Sequence, residues 1–200
     1  MSKELSSTMK DVQAYEDTRN VEISKVGING LRLPLQFINK AHTQHTVMEA
    51  EFTVTLQAER KGTHMSRFIE VWEGTHFPFG LESVEKLLAD LKGRLDAMSA
   101  QVHLKFPLFF ERVAPVSRAT SVMDFECEII AQTNPDHIEL RLMAPVTSLC
   151  PCSKEISEFS AHSQRSHLTI ALQFKSFAEL AALDIDAMLK EMEAVGSSKL

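Results

Sequence analysis

From Met48 to Gln57 the chain alternates without a break: Met48, Ala50, Phe52, Val54 and Leu56 are apolar, and Glu49, Glu51, Thr53, Thr55 and Gln57 are polar. Successive side chains of a strand point to opposite faces, so a sustained period of two requires a strand with one buried and one wet face. The same period returns in Leu104 to Phe110, Met123 to Ala131, Ile138 to Val146 and Leu168 to Phe174. Half-buried strands in this number call for an antiparallel sheet with an apolar cover on one side.

Two helical stripes supply that cover. Val84, Leu87, Leu88, Leu91, Leu95 and Met98 recur at spacings of three and four and predict a helix from about Glu82 to Met98, with Pro78 and Gly80 just before it. Ile185, Met188, Leu189, Met192 and Val195 predict a second, with Asp184 as its N-cap. Between these landmarks, Val26 to Leu35 is apolar, with Gly27 and Gly30 read as tight turns and Pro34 as an edge or loop. Phe68 to Trp72, apolar on both faces, reads as a central strand. Pro107 moves its strand toward an edge or a bulge, and Asn134 to Asp136 is a turn. The order is strand, strand, helix, strand, strand, then strand, strand, helix. It reads as one complete unit and an unfinished copy, so the sequence is expected to be a shortened form.

Charge narrows the function classes. With 27 acidic against 21 basic residues the net charge is −6, which disfavours a nucleic-acid or membrane-surface binder, though an anionic substrate fits a locally basic pocket. The polar opening segment carries no signal peptide and no later run is long enough for a bilayer span. Three cysteines make no disulfide framework, so a cytoplasmic protein is expected.

The chemistry concentrates in the loop within Met143 to His167, which holds Cys150, Cys152, Lys154, His162 and Arg165. Pro151 restricts the bend that would bring both thiols to one ion, so one Cys with His162, returned by a hairpin-like loop, is the better pair of metal ligands. Further ligands would come from elsewhere, with a position left open for water. The alternatives are two small buried thiols beside a solvated histidine, or a thiol redox pair, for which C-x-x-C would be the usual spacing. A second cluster, Lys61 to Arg67 (K-G-T-H-M-S-R), offers Lys61 and Arg67 to phosphate oxygens, with Gly62 allowing close backbone approach; its plain alternative is a solvated turn. Cys127 reads as core, His103, His137 and His167 as surface residues, and Asp124, Glu126 and Glu128 as a carboxylate face toward solvent or another subunit.

The residues A-P-V-T-S-L-C-P-C-S-K-E-I-S and A-H-S-Q-R-S-H, together with K-G-T-H-M-S-R-F, D-V-Q, D-T-R-N and V-G-I-N-G-L-R-L-P, resemble the prokaryotic-type (type IB) GTP cyclohydrolase I family over essentially the whole chain. The resemblance implies an α+β tunnelling fold of antiparallel sheets with helices on one face, two tandem units per chain. Residues 1–25 would form a flexible arm, 26–133 the first unit and 134–200 the second, incomplete one. It implies hydrolysis of GTP to 7,8-dihydroneopterin triphosphate and formate, feeding folate-type pterins, with a divalent ion (Zn, Mn or Fe). Cys150 would be the essential thiolate and metal ligand and His162 a second ligand, with Lys61, His64, Arg67, Lys154 and Arg165 as substrate or triphosphate contacts. A homo-oligomer, a tetramer above others, with active sites at subunit interfaces is expected, with no nucleic-acid or membrane partner. Members of the family continue past this C-terminus with a K-R-x-D-E segment and later carboxylates. The competing readings are therefore a catalytically inactive interaction protein and a related enzyme acting on another purine or pterin.

Overall fold

The apolar half of the Met48 to Leu56 alternation is realised in full: all five apolar side chains are at most 6% exposed and join the core, although the polar Thr53 is buried as well. The computed structural model describes residue 18 and residues 20–40, 42–75, 77–114, 117–149, 152, 155 and 163–196. Seven strands, β1 (Ile23–Asn39), β2 (His42–Leu56), β3 (Phe79–Gly80), β4 (Ala100–Val113), β5 (Thr120–Gln132), β6 (His137–Leu149) and β7 (Ser163–Gln173), form one mixed sheet in the order β3-β1-β2-β4-β5-β6-β7. Only the short β1–β3 pairing is parallel. The four described helices are α1 (Met65–Glu73), α2 (Ser83–Leu95), α3 (Phe177–Ala182) and α4 (Ile185–Gly196), and their buried residues join the strands' apolar faces in one core. This is an α+β protein of the expected class.

Four expectations are corrected. Phe68 to Trp72 is not a strand but the body of α1: Phe68, Val71 and Trp72 are the buried residues, spaced for one helix face, and Trp72 stacks on Phe52. A short apolar run does not distinguish a buried strand from a buried helix turn. The helix predicted to Met98 stops at Leu95, because Asp96 turns left-handed (φ 50°) and Met98 is 60% exposed. Gly27 and Gly30 are not turn residues. They lie inside β1, flanking register shifts between Ile23 and Val26 and between Ile28 and Leu31, and Gly30 has φ 69°.

Pro107, expected at an edge or bulge, sits in the central strand β4. The register between β2 and β4 ends at Glu49 with Lys105, just before Pro107, so the missing N–H costs the ladder nothing. Side chains bridge the gap that follows: the Thr46 hydroxyl donates to the Pro107 carbonyl (3.0 Å), and the Phe109 N–H donates to Gln44 Oε1 (2.9 Å). The turn at Asn134 to Asp136 and the Asp184 cap are as expected, the latter accepting from the Ala187 N–H at 3.1 Å.

The uncovered face of the sheet carries a row of alternating charge. Arg32 on β1 faces Glu49 on β2, which faces Lys105 on β4, then Glu128 on β5 and Arg141 on β6. Lys105 Nζ lies 3.0 Å from Glu126 and 3.2 Å from Glu128, and these bonds raise the lysine's pKa. The carboxylate face expected on β5 is therefore exposed toward solvent but largely neutralised by its neighbours. His103 approaches Glu128 (3.5 Å) and His137 approaches Glu139 (3.3 Å) on the same face.

Candidate active site

The Cys-rich loop is carried by β6 and β7. Their antiparallel register runs from Glu139 with Gln173 to Leu149 with Ser163, without a bulge. Cys150 follows Leu149 in the chain and His162 precedes Ser163, so these two residues are the sequence neighbours of the last described pair. Cys150, Lys154 and His162 themselves lie outside the described residues. Cys152 is described as a free, exposed thiol. Among the described residues no three His, Cys, Asp or Glu side chains come together as a metal-binding group.

Arg165 is the described cation at the foot of the loop. It stands on β7 opposite Thr147, 62% exposed, with Nη2 3.9 Å from Asp124 Oδ1. Lys105 and Arg141, also on the open face, are engaged by Glu126, Glu128 and Glu139. Cys127, expected in the core, is fully buried, and loss of solvation pushes its thiol pKa far up. It is an inert packing residue.

The second cluster is built differently. After Leu56 the chain passes Lys61, which is exposed, and enters α1, with His64 as the N-cap in extended backbone (φ −83°, ψ 112°). The His64 carbonyl accepts the Arg67 N–H at 3.1 Å. Arg94 hydrogen-bonds Glu70 on the next turn of α1 and holds its carboxyl below the usual range, with Arg67 and His64 adding to the effect. Lys61, His64 and Arg67 thus stand at or just before one helix start, whose dipole favours anions.

Among the described residues, the foot of the loop and the Lys61–Arg67 cluster lie at opposite ends of the sheet. Arg60 pairs with Asp96 just before β4 begins, which fixes the Lys61–Arg67 cluster at the end of the sheet where Ala100 and His137 lie. The loop leaves from the opposite end, roughly 40 Å away along β6 at strand spacing. The helix-covered face holds α1, whereas Arg165 projects on the open face with Asp124. The sequence does not reveal Asp124 as the partner of Arg165, because nothing local links positions 124 and 165.

No described helix is long and apolar enough to cross a membrane. The family described as Type I GTP cyclohydrolase folE2 has a sequence model that matches residues 9–200. GTP cyclohydrolase FolE2 of Geotalea uraniireducens (strain Rf4) is 41% identical over 192 residues, covering 95% of this chain and 69% of that protein. GTP cyclohydrolase FolE2 1 of Dechloromonas aromatica (strain RCB) is 44% identical over 172 residues, covering 84% and 65% respectively. GTP cyclohydrolase FolE2 of Aromatoleum aromaticum (strain DSM 19018 / LMG 30748 / EbN1) is 38% identical over 204 residues, covering all of this chain and 73% of that protein. With a match over nearly its whole length, the chain belongs to the FolE2 family of type I GTP cyclohydrolases.

Proposed function

We propose that this chain hydrolyses GTP to 7,8-dihydroneopterin triphosphate and formate, the first step toward folate-type pterins, in the cytoplasm and with a divalent metal ion. The observation that carries the proposal is the ladder at the foot of the loop. Leu149 and Ser163 are paired, so covalent connectivity tethers Cys150 and His162 to adjacent strands. A thiolate and a neutral imidazole are a donor set that suits Zn or Fe, and Mn is a further candidate. When bound, such an ion lowers the pKa of water toward neutrality, which is the chemistry that opening the guanine ring at C8 requires.

The rest of the reading concerns the chain's own groups. Cys150 and His162 hold the ion, Cys150 as the deprotonated ligand. Arg165, on β7 at the foot of the loop, and Lys154, within the loop sequence, contact the triphosphate. The Lys61–Arg67 cluster and the foot of the loop stand at opposite ends of the sheet, which supports a reading in which Lys61, His64 and Arg67 serve a loop donated by a second copy. That arrangement fits a homo-oligomer, a tetramer above others, with interfacial sites. It also fits two tunnelling-type units, residues 26–133 and 134–200, continuing one sheet. The experiment is turnover of GTP by the purified chain with Zn2+, Mn2+ or Fe2+, followed by formate release and pterin fluorescence. Both products are expected, with activity lost in Cys150→Ala and retained in Cys152→Ala. Absence of formate with every ion rejects the proposal, and equal loss in the two variants replaces the Cys150 and His162 pair with a site that uses both thiols.

A further inference from the structure

The geometry points to Asp124 as the positioning residue for Arg165, holding its guanidinium over β6 at the foot of the loop. The inference rests on the reading of Arg165 as a triphosphate contact. Arg165 is on β7 and Asp124 on β5, with β6 between them, so the two backbones are about 10 Å apart at normal strand spacing. For Nη2 to lie 3.9 Å from Asp124 Oδ1, the arginine must lie folded across β6 on the open face instead of extending from the sheet edge. Asp124 stands in the row of Phe109, whose ring is 42% exposed, next to the carboxylates already engaged by Lys105 and Arg141. Glu126 and Glu128 are therefore occupied, and Asp124 is the carboxylate that meets Arg165.

At 3.9 Å the contact is longer than a hydrogen bond, and both side chains are more than 60% exposed, so it adds little to stability. Its effect is directional. Nη2 is the guanidinium nitrogen turned to Asp124, and a guanidinium has further N–H donors with which to meet phosphate oxygens. Orientation and charge make opposite predictions here. By charge alone, removing Asp124 removes a negative group near an anionic substrate and strengthens binding. By orientation, removing it frees the side chain to leave the site and weakens binding.

The test is equilibrium binding of GTP and of guanosine to the full chain, measured by calorimetry, which needs no turnover. Asp124→Asn is expected to weaken GTP binding about fivefold, the upper range for an exposed ion pair, and to leave guanosine unchanged. Asp124→Glu should restore most of the loss. Arg165→Ala should weaken GTP at least as much, and the double variant should be no weaker than Arg165→Ala alone. Unchanged or tighter GTP binding in Asp124→Asn overturns the positioning role while leaving Arg165 as a contact. Normal GTP binding in Arg165→Ala overturns the reading of Arg165 itself, and absence of GTP binding by the unaltered chain overturns both.

Discussion

Asn39 joins the two ends of the chain. Its Oδ1 accepts the Ile185 N–H at 3.0 Å, and its Nδ2 donates to the Leu183 carbonyl at 3.2 Å, so one amide closes the joint between α3 and α4. Asn39→Ala leaves a buried N–H unpaired and is expected to cost about 1–3 kcal/mol, read as a lower urea midpoint at unchanged m-value. Arg112 is the other anchor. It reaches Glu193 (2.8 Å) and Asp186 (3.2 Å) on α4 and lies over the rings of Phe110 and Phe125. With only 16% of its side chain exposed, Arg112→Ala strands Glu193 and leaves Asp186 with Lys190, and should destabilise by roughly 3 kcal/mol in the same measurement. Neither residue was legible in the sequence. Asparagine at a strand end and arginine on a strand are ordinary, and their partners lie far along the chain.

Elements were legible to the extent that burial is periodic. The alternating strands β2, β4, β5 and β6 follow from side chains that face a core on one side only. Helix α3 was missed, although Ser176 and Glu179 form its start signal: Ser176 Oγ accepts the Glu179 N–H (3.3 Å), and Glu179 accepts the Lys175 N–H (2.9 Å). At six residues its apolar stripe is too short to show a period. Inside β1, the two glycines separate two reasons for lacking a side chain. A Cβ at Gly27 would lie 1.9 Å from the Phe52 carbonyl oxygen, whereas Gly30 has open space but φ 69°. Gly30→Ala should cost about 1–2 kcal/mol from backbone strain alone. Gly27→Ala must push β1 off β2, so its thermal midpoint is expected to fall much further than that of Gly30→Ala.

At the scale of the molecule, the charge network sets the pH range of stability. Arg141 lowers the pKa of Glu139 through a hydrogen bond, which outweighs the effect of burial. Burial pushes Asp186 up, but Lys190 and Arg112 win and hold it down. Folded pKa values below the unfolded ones stabilise above the ordinary carboxylate range and lose that contribution as pH falls through the folded values. Lys105 is raised, so its contribution is present below the ordinary lysine value and fades as pH rises through the folded one. Urea midpoints should therefore stay level between about pH 5 and pH 10 and fall on both sides, with a shallower acid fall in Asp186→Asn. The placement of the two basic clusters makes a prediction at the same scale. Arg67→Ala and Cys150→Ala chains, each inactive alone, should regain about a quarter of full activity when refolded together, as expected for a site shared between two copies. No recovery would restrict the site to one chain.

The uninterrupted β6–β7 ladder also works as a ruler. An inserted residue within the loop between Leu149 and Ser163 lengthens a connection and leaves the sheet as it is. An inserted residue between the turn at Asn134 and Leu149 reverses the facing of every side chain from that point to the loop, since strand parity is two. Under the proposed roles of Cys150 and His162, the count of residues in β6 is as strict a requirement on the chemistry as the identity of the thiol and the imidazole. Length variation in relatives should accordingly be found beyond Leu149 and not before it.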